Sequence, residues 1–427
     1  MFKSYFILAV LAAVAFRAGD IFGFQCGSSV NLYDDESCKA FWHCTAEGLL
    51  QFMNKTVSRQ DFDRLHIEEI GHTPMWLRIV SDKLYCVNHP NFKRKRYRVK
   101  IYRAAHYINR LNRLLRQGKL RVADGTEWWT HHSDWVKVPV GRVTPPVFSV
   151  SGAVGYADIA GIPFMSFSDK ISYFENIAFA QLGKETKFLS NWEHRKEAAF
   201  FRGSLSDCAN AVSMHDGDVK FCARAKVIYH SKRSKNPLLS SVSTSSSFEK
   251  VGLNSSCRIC TSPGRSGKSF VHDLLAHKYV LDFAGAGNWS RRMSLLLRSG
   301  GLIFKSESPG YQFYEFHLKP GVHYIPFNPE IGKSGVGDLL SRLEWAQKND
   351  ETARRIARTS VSFGRVCLTE SSIDEFVSMI LMIYSKRLIE NPVDYPLIDL
   401  SSCVSDIKDY YKLSKHCEET IEKCWAT

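Results

Sequence analysis

After residue 16, the sequence lacks any uninterrupted apolar run of about 18 residues, the length that a membrane-spanning helix needs. Acidic residues are also scarce, with 43 Asp and Glu against 57 Lys and Arg, so the formal net charge is +14. This charge predicts an anionic partner, which could be a nucleic acid, a membrane surface or a phosphate ester. Apolar residues are not scarce, because they make up 44% of the chain, and this excludes a disordered protein.

The first residues are typical of a secretory signal peptide. One lysine precedes an apolar stretch over residues 5–16, which is followed by small residues. We therefore predict a signal peptide over residues 1–23 that is cleaved, because the stretch is too short to span a bilayer. Twelve cysteines, an even number, fit an oxidising compartment and predict several disulfides, although the sequence cannot pair them. Asn54 and Asn254 stand in glycosylation motifs, as expected for a lumenal or extracellular glycoprotein.

Three local patterns imitate known sites, and each lacks a required part. Residues 264–269 resemble a phosphate-binding loop, but Ser262 stands where the pattern needs a glycine. Cys257 and Cys260 supply half of a zinc site, and no second pair stands at a suitable spacing. Residues 131–134 contain the residue types of a hydrolase triad, whose members meet in space and not in one unbroken run. We therefore favour none of these three sites.

Basic residues are densest over residues 93–103. A polyanion-binding surface and a solvated face both explain this run, and we favour the solvated face in a lumenal protein. An amphipathic helix follows, in which apolar residues recur at helical spacing and Arg110, Arg113 and Arg116 occupy the other face.

Strand-like and helix-like segments alternate along the chain, which favours an α/β fold. The predicted strands are 77–80, 83–86, 126–130, 147–151, 277–283 and 301–305. A turn at Ser81 and Asp82 separates the first two, and a glycine-containing loop and a helix over residues 290–298 separate the last two. We expect doubly wound parallel sheets, in which ligands bind beyond the carboxyl ends of the strands.

A length of 427 residues predicts two domains. After the signal peptide we expect an N-terminal domain over residues 24–190, a C-terminal domain over residues 191–385 and a cysteine-containing tail over residues 386–427. Serines crowd residues 231–269, and we interpret this segment as an exposed insertion in the second domain.

Three motifs carry a resemblance to a known family. They are Phe-Arg-Gly-Ser at 201–204, the loop and helix start at 282–292, and Leu-Lys-Pro-Gly-Val-His-Tyr-Ile-Pro at 318–326. In this order and spacing they resemble the protein O-glucosyltransferases of the Rumi type, a family that also contains fungal capsule-associated xylosyltransferases. The similarity covers about residues 75–384. It implies a GT-B fold of two facing Rossmann-like domains, a UDP-sugar donor, inversion at the anomeric carbon and no metal ion.

The resemblance also implies roles for single residues. Asp134, followed by Trp135 and later by Pro139, matches the family's catalytic base, and Glu127 lies in register upstream. The implied donor-binding residues are Arg202, Gly203, Ser204, Gly287, Ser290 and Arg292. The chemistry agrees, because a carboxylate can take the acceptor's proton while arginines hold the departing diphosphate. Gly203 would let the donor approach the backbone closely, and with these cations a metal becomes unnecessary.

Some positions depart from the family pattern, among them Ala284 and Gln312, where members carry an arginine and an acid. The donor sugar therefore stays open. The final residues are not the retention signal of several members, so the endoplasmic reticulum, the Golgi and secretion all remain possible.

We expect an inverting transferase that moves glucose or xylose from UDP to a protein serine or a glycan hydroxyl, with no nucleic-acid partner. One alternative is a catalytically silent member of the family that binds a glycan or a secretory client. Another is a lumenal polyanion-binding protein.

Overall fold

The computed structural model describes residues 33–50, 57, 62, 74–88, 98–132, 147–153, 158–162, 192–203, 205, 223–244, 270–285, 292–308, 310–315, 318–329, 336–388, 395–403 and 414–424. The helices in these ranges are α1 Asp35–Leu50, α2 Arg98–Arg116, α3 Ala223–Ser234, α4 Phe270–Leu275, α5 Met293–Ser299, α6 Leu339–Lys348, α7 Asp350–Val366, α8 Glu370–Ser385 and α9 Lys415–Lys423. None of them is long and apolar enough to cross a membrane.

The strands of the described residues fall into two five-stranded sheets and one two-stranded sheet. They are β1 Pro74–Val80, β2 Lys83–Val87, β3 Glu127–His131, β4 Val147–Phe148, β5 Gly152–Ala153, β6 Lys196–Gly203, β7 Ser241–Thr244, β8 His277–Asp282, β9 Leu302–Ser306, β10 Gly310–Tyr311, β11 Ile325–Phe327 and β12 Leu397–Asp399. The protein is therefore a mixed α/β fold.

The first sheet has the order β12-β2-β1-β3-β4 and is mainly antiparallel. β1 and β2 form the predicted hairpin, in which Ser81 and Asp82 have φ values of 49° and 57°. β3 runs antiparallel to β1, and only β3 and β4 are parallel. The expectation of a parallel sheet is wrong for this half. A two-residue turn can join only antiparallel neighbours, because parallel strands need a crossover of a dozen residues or more.

The second sheet has the order β11-β9-β8-β6-β7, and all its strands are parallel. The predicted strand, helix and strand between residues 277 and 305 are confirmed as β8, α5 and β9. From β6 the chain moves outward to β7 and then crosses back to β8 on the other side. The direction of winding therefore reverses between β6 and β8, which is where ligands bind in open parallel sheets.

Residues 231–244 correct the prediction of an exposed insertion over residues 231–269. They form the end of α3, a short 3-10 turn and strand β7, which pairs with β6. Leu239 and Val242 are buried, so a few apolar residues among the serines anchor the segment. Residues 245–269 lie outside the described residues.

The carboxyl-terminal part of the chain packs on the first sheet and its helices. β12 pairs with the edge of β2, and α8 lies against α1. Disulfides join Cys38 to Cys367 and Cys86 to Cys424, while a third pair, Cys403 and Cys417, closes a local loop. β5 also pairs with β10, so strands from the two halves of the sequence meet a second time. The boundaries of the two domains stay a prediction.

Two of the three arginines that we predicted for the polar face of α2 pair with acids of α8, whereas Arg116 is exposed. Arg110 is 8% exposed and pairs with Asp374 of α8. Arg113 reaches the same carboxylate at 2.8 Å and Glu370 at 2.9 Å. These pairs join α2 to α8, and the pair of Arg110 with Asp374 is buried. The basic residues 93–97 lie outside the described residues.

Candidate active site

The candidate site lies at the carboxyl edge of the second sheet, where β6 ends at Gly203 and β8 ends at Asp282. Arg202 is the residue before the end of β6, and Arg292 is the N-cap residue of α5. The structure therefore brings three predicted residues to the point where the winding reverses. The other predicted site residues lie outside the described residues, and they are Asp134, Ser204, Gly287 and Ser290.

Arg292 lies across the end of β6. Its guanidinium carbon is 4.5 Å from the centre of the Phe201 ring, and its Nη2 is 3.5 Å from the carbonyl oxygen of Arg202. A Cβ built on Gly203 would overlap Nη2 and would lie 3.3 Å from Cζ of Arg292. A glycine at this position therefore makes room for the arginine, in addition to the role toward a donor that the sequence suggests.

Arg202 points to the face of the second sheet opposite Phe201 and Arg292, because neighbouring residues of a strand alternate in direction. Its Nη1 donates a hydrogen bond of 2.9 Å to Oδ2 of Asp273 in α4. Its Cζ lies 5.8 Å from the ring centre of Phe200 and 5.6 Å from that of Phe270. The guanidinium groups of Arg202 and Arg292 thus lie on different faces of β6.

Arg224, in the first turn of α3, is a residue of this edge that the sequence did not single out. Only 5% of it is exposed. Its Nη2 donates a hydrogen bond of 2.8 Å to the carbonyl oxygen of Phe283, directly after β8, and its Cζ is 5.8 Å from the centre of the Phe201 ring. A signal was present in the sequence, because a cation in the first turn of a helix opposes the helix dipole.

A buried cluster of charged residues lies at the ends of β8 and β9. Nζ of Lys305 is 3.3 Å from Oε2 of Glu315, and Nε2 of Gln312 donates to Oε1 of the same carboxylate at 2.8 Å. Burial opposes the charge of Lys305, but Glu315 and Asp282 outweigh it and raise the pKa of the lysine. Burial raises the pKa of Glu315, which Lys305 only partly offsets. Gln312 stands where family members carry an acid, and an acid, Glu315, lies three residues later and accepts a hydrogen bond from Gln312.

The carboxyl end of β3, three residues before Asp134, carries a buried contact between a histidine and a carboxylate. Nε2 of His131 lies 2.6 Å from Oδ1 of Asp158, and the two side chains are 1% and 0% exposed. Glu127 begins β3, at the other end of the strand, and accepts a hydrogen bond of 3.3 Å from Arg78. His131 is thus held by a carboxylate in the interior.

His323 of the third motif precedes β11 and connects distant parts of the chain. The backbone N–H of Lys319 donates to its Nδ1 at 2.9 Å, and Nε2 lies 2.7 Å from the hydroxyl oxygen of Tyr33. Burial lowers the pKa of His323 to about 4, so the ring is neutral and Nε2 donates to Tyr33. This bond joins the start of the described chain to the motif.

Comparisons with known proteins agree with this geometry. The model of the family described as Glycosyl transferase family 90 matches residues 33–399. Protein O-glucosyltransferase 2 from Danio rerio is 30% identical over 139 residues, which are 31% of this chain and 27% of that protein. Protein O-glucosyltransferase 3 from Mus musculus is 31% identical over 121 residues, 28% of this chain and 23% of that protein. These matches span about a quarter of each relative. Protein O-glucosyltransferase 1 from Rattus norvegicus is 26% identical over 292 residues, 66% of this chain and 64% of that protein.

Proposed function

Because the chain belongs to glycosyl transferase family 90, we propose that it is an inverting transferase that moves glucose or xylose from a UDP-sugar to a protein serine or a glycan hydroxyl. We place this reaction in the lumen of the secretory pathway, in the endoplasmic reticulum, the Golgi or outside the cell. The similar proteins that carry the name protein O-glucosyltransferase support the sugar-transfer chemistry.

The observation that carries the proposal is the position of Arg292 at the carboxyl edge of the parallel sheet. Its guanidinium stacks on Phe201 beside Gly203, at the point where the winding reverses between β6 and β8. A planar guanidinium held in this way can present two N–H groups to phosphate oxygens. We assign the UDP diphosphate to this edge, with Arg202, Gly203, Ser204, Gly287, Ser290 and Arg292 as the proposed donor-binding residues.

We propose Asp134 as the catalytic base. Its carboxylate takes the proton from the acceptor hydroxyl as the oxygen forms a bond to the anomeric carbon. The bond between that carbon and the UDP oxygen breaks, and its electron pair leaves on the diphosphate, where cations stabilise it. Attack from the face opposite the leaving group inverts the anomeric centre. Because arginines neutralise the leaving group, the proposed reaction needs no metal ion.

The proposed architecture is GT-B, with the donor on the parallel sheet and the acceptor entering from the side of the first sheet. Asp134 follows β3 by three residues, so it comes after the carboxyl end of a strand of the first sheet. The parallel second sheet, with helices between its strands, supports the Rossmann-like donor half. The division at residues 24–190 and 191–385 belongs to the same proposal.

The test is release of UDP from a panel of UDP-sugars, with a chelator present, by protein purified from a secretory host. Asp134→Asn is the active-site variant. Asp124→Asn is the control, because Asp124 is an acid of the turn before β3 and accepts only a surface bond from Ser81. We expect slow hydrolysis of one donor that survives the chelator and the control substitution and is lost in Asp134→Asn.

Other results would change the proposal in distinct ways. UDP binding without turnover of any donor and acceptor would favour the catalytically silent member of the family. Loss of turnover with the chelator would contradict the metal-free mechanism. No binding of UDP would overturn the donor assignment altogether.

A further inference from the structure

We propose that Tyr311, Asp158 and His131 form a buried link that positions the carboxyl end of β3, and with it the base Asp134, relative to the second sheet. His131 ends β3 of the first sheet, whereas Tyr311 lies in β10, in the half of the sequence that forms the second sheet. This inference rests on the proposed function, because it takes Asp134 as the catalytic base. The three linked residues are positioning residues, since they act through Asp134.

Two neighbouring residues fix the end of β3. Nε2 of His131 lies 2.6 Å from Oδ1 of Asp158, and both side chains are fully buried. On the next residue, the carbonyl oxygen of His132 accepts a hydrogen bond of 2.9 Å from Nη1 of Arg103 in α2. Asp134 follows His132 by two residues, which span at most about 7 Å. The positions of the two histidines therefore limit where the base can lie.

Asp158 also faces the other half of the sequence, through Tyr311. Tyr311 lies in β10, which pairs with β5, and the register places it opposite Gly152. Its ring lies on this glycine, because a Cβ built there would overlap the ring and the hydroxyl oxygen. Burial raises the pKa of Tyr311 and the charge of Asp158 raises it further, so the hydroxyl stays protonated near this carboxylate. Asp158 thus lies between a histidine of the first sheet and a tyrosine from the other half.

Tyr311 is connected in turn to the edge of the second sheet. The next residue, Gln312, is buried and donates a hydrogen bond of 2.8 Å from Nε2 to Oε1 of Glu315. Oε2 of Glu315 lies 3.3 Å from Nζ of Lys305 in β9, and Lys305 stands opposite Asp282 at the end of β8. A displacement of β10 would therefore be felt at the end of β8 and at the end of β3. The link can hold the base and the donor edge at a fixed separation.

A link made of polar groups suits this task. Hydrogen bonds hold a distance and a direction, and a carboxylate in the interior is costly unless its partners stay in place. The separation matters for the reaction, because the reacting atoms must lie about 3–3.5 Å apart, and a misplacement of about 1 Å can cost about a hundredfold in rate. A small shift at the end of β3 should therefore lower kcat.

The experiment measures kcat and KM for release of UDP from UDP-glucose and from UDP-xylose, the affinity for UDP by calorimetry, and stability by urea unfolding. Tyr311→Phe removes one oxygen atom, and Asp158→Asn removes the charge of the carboxylate. We expect each variant to lower kcat at least fivefold and to keep the affinity for UDP within about twofold, because the donor-binding residues are unchanged. His131→Gln keeps an N–H donor for Asp158, so it should retain a higher kcat than His131→Leu.

Arg78→Gln is the matched control. Arg78 pairs with Glu127 at the opposite end of β3, at 3.3 Å, and the two side chains are 11% and 7% exposed. This variant should lose stability and keep kcat within about twofold, since a loss of stability alone does not move the base in the folded molecules.

Unchanged kcat in Tyr311→Phe would overturn the inference, and this variant decides the question where Asp158→Asn does not fold. An equal loss of kcat in Arg78→Gln would also overturn it, and so would a loss of UDP affinity as large as the loss of kcat. No release of UDP by the unmodified protein, or undiminished release by Asp134→Asn, is a different result, which would overturn the proposed function itself.

Discussion

Substitution of Gly203 by alanine should reduce donor affinity while leaving the fold almost intact. The new Cβ would overlap Nη2 of Arg292 and lie 3.1 Å from Cζ of Phe201. A normal contact of about 3.5 Å therefore requires the guanidinium to move by about 1 Å or more. The atom that must move is at the far end of a long side chain, so the backbone of β6 can stay in place.

The magnitude follows from what Arg292 loses. Displacement from the Phe201 ring removes a cation–π contact of about 0.5–2 kcal/mol. An alanine in a strand is favoured over glycine by about 0.5–1 kcal/mol, so the net change in unfolding free energy should stay within about 1.5 kcal/mol. Lost hydrogen bonds to a charged phosphate are worth about 1.5–3 kcal/mol, which corresponds to a fall in UDP affinity of about tenfold to 150-fold.

The assay is UDP calorimetry together with urea unfolding, with Gly152→Ala as the matched control. A Cβ on Gly152 would overlap the buried ring of Tyr311, where β5 pairs with β10. That variant should therefore lose about 1–3 kcal/mol of stability and bind UDP normally once folded. Unchanged UDP affinity in Gly203→Ala would refute the placement of Arg292, and a loss of several kcal/mol in its stability would show that the strand cannot accept the Cβ.

Three further predictions concern the fold. Asp374→Ala should cost about 3–5 kcal/mol in urea unfolding, because it leaves buried Arg110 without this carboxylate, and adding Arg110→Met should restore part of that loss. Burial lowers the pKa of His323 to about 4 in the folded protein, from about 6.5 in the unfolded chain. As the pH falls from about 6.5 to 4, His323 is therefore protonated in the unfolded chain before it is protonated in the folded protein. Stability should therefore fall by up to about 3 kcal/mol across that window, and less in His323→Gln; equal slopes in the two proteins would contradict this. Replacing Cys38 and Cys367 by serine should cost up to about 5 kcal/mol, measured as a lower urea midpoint, because the bridge closes a loop of more than 300 residues.

The secondary-structure elements that depend on short stretches of sequence were predicted correctly. The hairpin at Ser81 and Asp82 and the unit of β8, α5 and β9 followed from turn residues and strand periodicity. The direction of the first sheet did not follow, since it depends on which strands meet. β12 lies about 310 residues after β2 in the chain, and no periodicity links the two.

The candidate site was likewise predicted only in part from the sequence. The family resemblance implied that Arg202, Gly203 and Arg292 belong to one donor site, and in the structure Arg292 does lie at the end of β6 beside the other two. The sequence could not predict that Arg202 and Arg292 lie on opposite faces, because this depends on the position of α4 and of Asp273. Arg224 escaped notice because its partners, the carbonyl of Phe283 and the Phe201 ring, are distant in sequence.

The return of the chain to the first sheet has a consequence for its synthesis. The edge of β2 pairs with β12, which leaves the ribosome about 310 residues later. At about 5–20 residues per second, this edge waits about 15–60 s for its neighbour. Cys86 waits still longer for Cys424. The first half of the nascent chain must therefore stay protected from other strand edges and other thiols until the last segment emerges.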